Sequence, residues 1–125
     1  MKKSIAMLKR GFESSSGLTP EFAQFFRTFK SEFTKELQTI GASNIVFNRG
    51  HFYVSGFFTD VSGQAWYFSL SDVRGMIKMS FVEGFALLYR TAKNYKDYTG
   101  GRNRYRTIES GMAKEMLWSF KLVED

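Results

Sequence analysis

Between Thr19 and Gly41 the chain repeats apolar residues at Phe22, Phe25, Phe26, Phe29, Phe33, Leu37 and Ile40. Spacings of three and four place them on one stripe of a 3.6-residue helix, with Arg27, Lys30, Ser31, Glu32, Lys35 and Glu36 outside it. Thr19 is a good N-cap, Pro20 suits the first helical position, and Gly41 stands where a left-handed C-cap is common. The pattern predicts a helix over 20–40 whose rings must be buried. The stripe reads as core rather than as a cofactor or partner groove, and a sheet in the residues that follow is the face to receive it.

The residues after Gly41 supply that sheet. Ile45-Val46-Phe47 leads into the turn signal Asn48-Arg49-Gly50, then a strand runs from His51 to Thr59. Asp60-Val61-Ser62-Gly63 is a second turn, followed by a strand over Gln64 to Ser71. Alternation puts Phe52, Val54 and Phe58 on one face with Trp66, Phe68 and Leu70. It puts Tyr53, Ser55, Phe57 and Tyr67 on the other. The first face is the one to receive the phenylalanine stripe. The second is either covered by a further helix or left open as an aromatic platform. Residues 72–84 fit neither period, and Phe85 to Thr91 reads as a fourth strand. Thr107 can cap a final helix in which Ile108, Met112, Met116, Leu117 and Phe120 face the core, with Gly111 weakening it. The expectation is an α+β fold, an antiparallel three- to four-stranded sheet packed by a long helix and a C-terminal helix. The 125 residues read as one domain, 1–125, with 1–17 as a leader that is flexible or briefly helical through Ile5, Leu8 and Phe12.

Several functions are excluded by what is missing. With no cysteine the chain has no disulfide framework, thiolate metal site or cysteine nucleophile. The absence of disulfides favours a cytoplasmic setting, or a host cytoplasm for a phage-encoded chain. The start resembles a secretion signal only over its first three residues, since the apolar run Ile5 to Leu8 is too short and Lys9-Arg10 closes it, and no apolar run is long enough for a membrane helix. His51 is the single histidine; it reads as a surface turn residue, or as a general base. No nucleophile elbow, phosphate-binding loop or dinucleotide fingerprint occurs. The expectation is a protein that is not an enzyme and has no cofactor or metal.

The positive signal is charge. Lys and Arg number 18 against 12 for Asp and Glu, a net +6. The segment from Tyr89 to Arg106 holds six basic residues, one acid and four tyrosines. Lys and Arg neutralise phosphates, and planar rings stack on unpaired bases. Arg90, Lys93, Tyr95, Lys96, Tyr98, Arg102, Arg104, Tyr105 and Arg106 are therefore the candidate nucleic-acid or partner-binding residues. Arg102, Arg104 and Arg106 alternate, so an extended loop would place them on one edge, and Gly100-Gly101 would allow close approach to a partner backbone. The bland alternative is a solvated basic loop with its tyrosines half-buried against the sheet. A protein-interaction module, or a homodimer formed through a sheet face or edge, is the other functional reading.

Two resemblances follow from these residues. The order helix, three strands, helix, with His51 after Gly50 in the first hairpin, resembles a double-stranded RNA-binding domain. The residues between the third strand and the last helix, and the start Thr107-Ile108-Glu109-Ser110-Gly111, depart from it, and no residue role carries over. In its small size, basic charge, lack of cysteine and lack of enzyme motifs, with the segment Tyr95-Lys96-Asp97-Tyr98-Thr99-Gly100-Gly101, the chain is similar to accessory proteins of phages and plasmids, among them anti-CRISPR inhibitors. That resemblance implies a basic loop that contacts a nucleoprotein effector or its guide RNA.

Overall fold

The computed structural model describes residues 1–10, 20–48, 54–70 and 86–121, with side chains up to Leu117 apart from Ala86. Among the described residues, three helices, α1 (Lys2–Arg10), α2 (Pro20–Gln38) and α3 (Met112–Lys121), accompany five strands. The strands are β1 (Ser43–Asn48), β2 (Ser55–Thr59), β3 (Ala65–Ser69), β4 (Ala86–Ala92) and β5 (Arg104–Thr107). All neighbours are antiparallel and the order is that of the chain, β1-β2-β3-β4-β5. The fold is thus α+β.

The phenylalanine stripe of α2 does what its period requires. Phe22, Phe25, Phe26, Phe29, Phe33 and Leu37 are buried against one face of the sheet, joined by Phe58, Trp66, Phe68, Leu87 and Tyr89. Phe33 meets Phe68 edge-on at 5.1 Å, and Phe47 from β1 meets the same ring at 5.1 Å. Such edge-to-face pairs add about 0.5–1.5 kcal/mol each beyond the area they bury. The helix ends at Gln38 and the chain turns at Gly41, whose φ of 81° is open to glycine at little cost. There the Ala42 amide donates to the Leu37 carbonyl and the Gly41 amide to Gln38, closing the last turn.

The carboxylates of α2 are used in an unexpected way. Glu32 Oε1 accepts from the Ser4 amide (2.8 Å) and Ser4 Oγ (2.6 Å), while Oε2 accepts from the Lys3 amide (3.1 Å). One turn on, Glu36 accepts from the amides of Gly111 (3.1 Å) and Ala113 (3.3 Å). Glu32 and Glu36 share a face of α2, so one helix supplies the N-terminal caps of the other two. Negative charge at a helix N-terminus also suits the helix dipole. Burial pushes the Glu32 carboxyl up, but the bonds from Ser4 and Lys3 outweigh it and hold the group below its ordinary value.

Three expectations are corrected. The sheet has five strands, because Arg104-Tyr105-Arg106-Thr107 pairs with β4 (Leu87 opposite Arg106, Leu88 opposite Tyr105). An edge strand tolerates charges that a central strand does not, so arginines concealed a period-2 run. The last helix starts at Met112, not at Thr107; Gly111 precedes it with φ 84°. Ile108 is buried ahead of that helix. With two more strands ahead of α3, the order also departs from helix, three strands, helix. The leader is helical over Lys2–Arg10, and Met7 and Leu8 join the core. His51, Phe52, Tyr53, the 72–84 segment, Phe85, the 13–17 connector and the side chain of Phe120 lie outside the described residues. No helix among those described is long and apolar enough to cross a membrane.

Replacing Glu36 by Ala leaves two amides at the start of α3 without their acceptor, and Glu32→Ala does the same for α1. Each loss costs about 1 kcal/mol, read as a lower urea midpoint at unchanged slope. Because the folded Glu32 carboxyl lies below its ordinary value near 4.5, its stabilisation is complete above that value and disappears as pH falls through the lowered one. Glu32→Gln flattens that acid limb.

Candidate nucleic-acid interface

Among the described residues, the second sheet face is covered by a loop rather than by a helix. The segment 93–101, between β4 and β5, folds back over it. Tyr95 stacks on Phe57 (5.2 Å, 16° between planes), and Tyr98 stands edge-on to Phe57 (5.4 Å) and Tyr67 (5.8 Å). The hydroxyl of Tyr95 bonds Thr59 Oγ1 at 2.6 Å, and that of Tyr98 accepts from Asn48 Nδ2 at 3.2 Å. The two rings thus serve as the cover that the aromatic face needs, and Tyr98 keeps 38% of its surface exposed.

One carboxylate organises this segment. Asp97 Oδ1 accepts from the amides of Gly100 (2.8 Å) and Thr99 (3.2 Å), and Oδ2 from the Lys93 amide (2.9 Å). The Lys93 bond first, then that of Thr99, hold the Asp97 carboxyl below its ordinary value, against a small opposing effect of burial. The Arg90 guanidinium reaches Asp97 Oδ2 at 4.0 Å, donates to the Asp97 carbonyl (2.8 Å) and the Thr91 carbonyl (3.1 Å), and lies 4.5 Å from the Tyr67 ring centre. Burial lowers the pKa of Arg90, and the charge of Asp97 offsets this. Burial also raises the Tyr67 hydroxyl, partly offset by Ser69, Ser55 and Arg90. The two glycines fit closely against the chain itself. A Cβ on Gly100 would stand 2.5 Å from Asp97 Oδ2, and one on Gly101, whose φ is 76°, would strike the Thr91 carbonyl.

The β2–β3 turn repeats the device. Asp60 Oδ1 accepts from Ser62 N (2.9 Å), Ser62 Oγ (2.6 Å) and Gln64 N (3.1 Å), and Oδ2 from Trp66 Nε1 (2.8 Å). Asp60-Val61-Ser62-Gly63 and Asp97-Tyr98-Thr99-Gly100 share one pattern, an aspartate that gathers the amide two residues on before a glycine. The two turns flank an open cleft of about 530 Å³ lined by Gly63, Gln64, Thr91, Lys93, Asp97 and Gly101, among others.

The nine sequence-derived residues therefore divide. Lys93, Lys96, Tyr98, Arg102 and Tyr105 are exposed, Tyr105 to 63%. Tyr95 is half-buried in its stack. Arg90 is only 3% exposed and is bound to the loop, so its guanidinium meets no external partner while the loop stays closed. Arg104 and Arg106 do lie on one side of β5, but that side is the helix side. Arg104 sits 5.3 Å from the Trp66 ring centre, and Arg106 pairs with Glu115 of α3 at 3.3 Å. Lying opposite the inward-facing Tyr89 and Leu87, they cannot form one row with the loop lysines. Asp97, which the sequence reading passed over as the lone acid, is the residue on which the loop turns; its Asp-x-x-Gly spacing was the available signal.

No group of three His, Cys, Asp or Glu able to hold a metal ion occurs among the described residues. Comparison with known protein families, curated proteins and solved structures finds no match to this chain.

Asp97→Ala removes three amide partners and one charge from Arg90. Amide exchange at Lys93, Thr99 and Gly100 should rise at least about tenfold, with α2 protection unchanged, since the loop opens without the core. Gly101→Ala forces a side chain into a left-handed backbone and should cost about 1–3 kcal/mol in urea unfolding.

Proposed function

We propose that this chain is a non-catalytic binding protein that engages nucleic acid, bare or within a nucleoprotein complex, through the outer surface of the tyrosine loop. The observation that carries this reading is the direction of charge in 93–102. Its one acid, Asp97, faces inward onto three backbone amides. Its cations Lys93, Lys96 and Arg102 are exposed, with no ion pair among the described residues. An approaching polyanion meets three exposed cations, with the Asp97 carboxylate held by the loop's own amides at the edge of the cleft. Exposed rings at Tyr98 and Tyr105 offer flat surfaces for unpaired bases, and the cleft beside Lys93 gives a backbone somewhere to run. Arg90 and Tyr95 belong to the support of this surface. The likeness to phage and plasmid accessory proteins directs the choice of nucleoprotein, a host defence nuclease with its guide RNA.

Fluorescence anisotropy with single-stranded RNA and DNA at two salt concentrations tests the proposal. Wild-type affinity should fall steeply with salt, and Lys93→Gln/Lys96→Gln/Arg102→Gln should flatten the log–log slope by roughly 0.7 per lost contact. Tyr105→Ala should weaken binding by about 1–3 kcal/mol if its ring stacks on a base. Undetectable binding of the wild type at low salt defeats the bare nucleic-acid form, and a failure to bind guide-loaded nuclease as well defeats the whole reading.

A further inference from the structure

The opposite side of the molecule carries a second cationic surface, outside the tyrosine loop. α1 exposes Lys2, Lys3, Lys9 and Arg10. α2, packed beside it, exposes Arg27, Lys30 and Lys35. Glu21 is the one exposed carboxylate on these two helices. The other two acids of α2, Glu32 and Glu36, are turned to the first amides of α1 and α3, so they are engaged at helix termini, and among the described residues the lysines and arginines of this surface have no ion-pair partner.

We propose that the outer surface of α1 and α2 is a docking face for the phosphate backbone of duplex nucleic acid. Charge complementarity selects a polyanion, and two observations narrow it. The large apolar residues that are exposed among those described are Val46, Val61, Tyr98 and Tyr105, none of them on α1 or α2. Without an exposed ring among its described residues, this surface contrasts with the tyrosine loop, which can stack an unpaired base. Without a large exposed apolar side chain among the described residues, it has little to seat in a lipid interface, since Met7 and Leu8 of α1 are already buried in the core. What it offers is spaced positive charge, the recognition that a duplex backbone needs. Arg27 and Lys35 stand eight residues apart on one helix, about 12 Å at 1.5 Å per residue, so they reach separate phosphates. The helices cover one face of the sheet and the tyrosine loop the other, so the two surfaces can be occupied together.

Anisotropy titration of the full chain with a random-sequence DNA duplex, an RNA duplex and a single strand of equal length tests this face separately from the loop. The helix variant is Lys9→Gln/Arg10→Gln/Arg27→Gln/Lys35→Gln, all exposed positions, with circular dichroism confirming the fold. It should lose at least about tenfold in duplex affinity at low salt, flatten the salt slope by about 0.9 per lost contact, and keep single-strand binding. The loop variant Lys93→Gln/Lys96→Gln/Arg102→Gln should behave in the reverse manner. A wild type that holds neither duplex at low salt overturns the inference, as does a helix variant that binds duplex like wild type. Neither result depends on whether the loop binds single strands.

Discussion

Backbone amides at the ends of helices and turns need acceptors, and in this protein carboxylates meet that need repeatedly. Glu32 serves α1, Glu36 serves α3, Asp60 serves the β2–β3 turn and Asp97 serves the loop between β4 and β5. Each bond of this kind is charge-assisted and stronger than its neutral counterpart. The consequence reaches the surface. These acids are directed to the chain's own amides, while lysines and arginines of the same elements are exposed at the surface. Structure and proposed function thus share one cause.

The two faces of the sheet solve the same burial problem differently. The first is sealed by phenylalanines of α2, an apolar contact without polar atoms. The second is sealed by tyrosines, which bury a ring and keep a hydroxyl for Thr59 or Asn48. This more polar closure rests on a short loop held by Asp97 and Arg90, and it leaves cations along its rim. A binding surface built on such a loop gains definition from the folded support beneath it, because its residues are ordered before a partner arrives.

Much of the fold was legible because apolar period dominates it. The α2 stripe, the turn at Asp60 and the inward set Phe58, Trp66, Phe68 follow directly from spacing. β5 was not legible, since a charged edge strand carries no apolar alternation. The start of α3 was misplaced because Thr107 looks like a cap, whereas the capping group is Glu36, distant in sequence. Of the site, composition located the basic tyrosine-rich stretch but not its orientation. Whether a tyrosine stacks on its own sheet or faces solvent depends on a tertiary contact with Phe57 that no local pattern encodes. Likewise, the alternation of Arg104 and Arg106 gave their common side, while the strand pairing that turned that side toward the helices lay beyond local sequence.

The commitment of carboxylates to the chain's own amides can be measured at the atoms concerned. Carbon-detected NMR of the side-chain carboxyls, followed across acid pH in the folded protein, reports each midpoint. The account requires Glu32 and Asp97 both to titrate below the ordinary values for their residue types, 4.5 and 3.8. Midpoints at those values or above would show carboxylates not held by these amides, and the cationic surfaces inferred from that commitment would lose their basis.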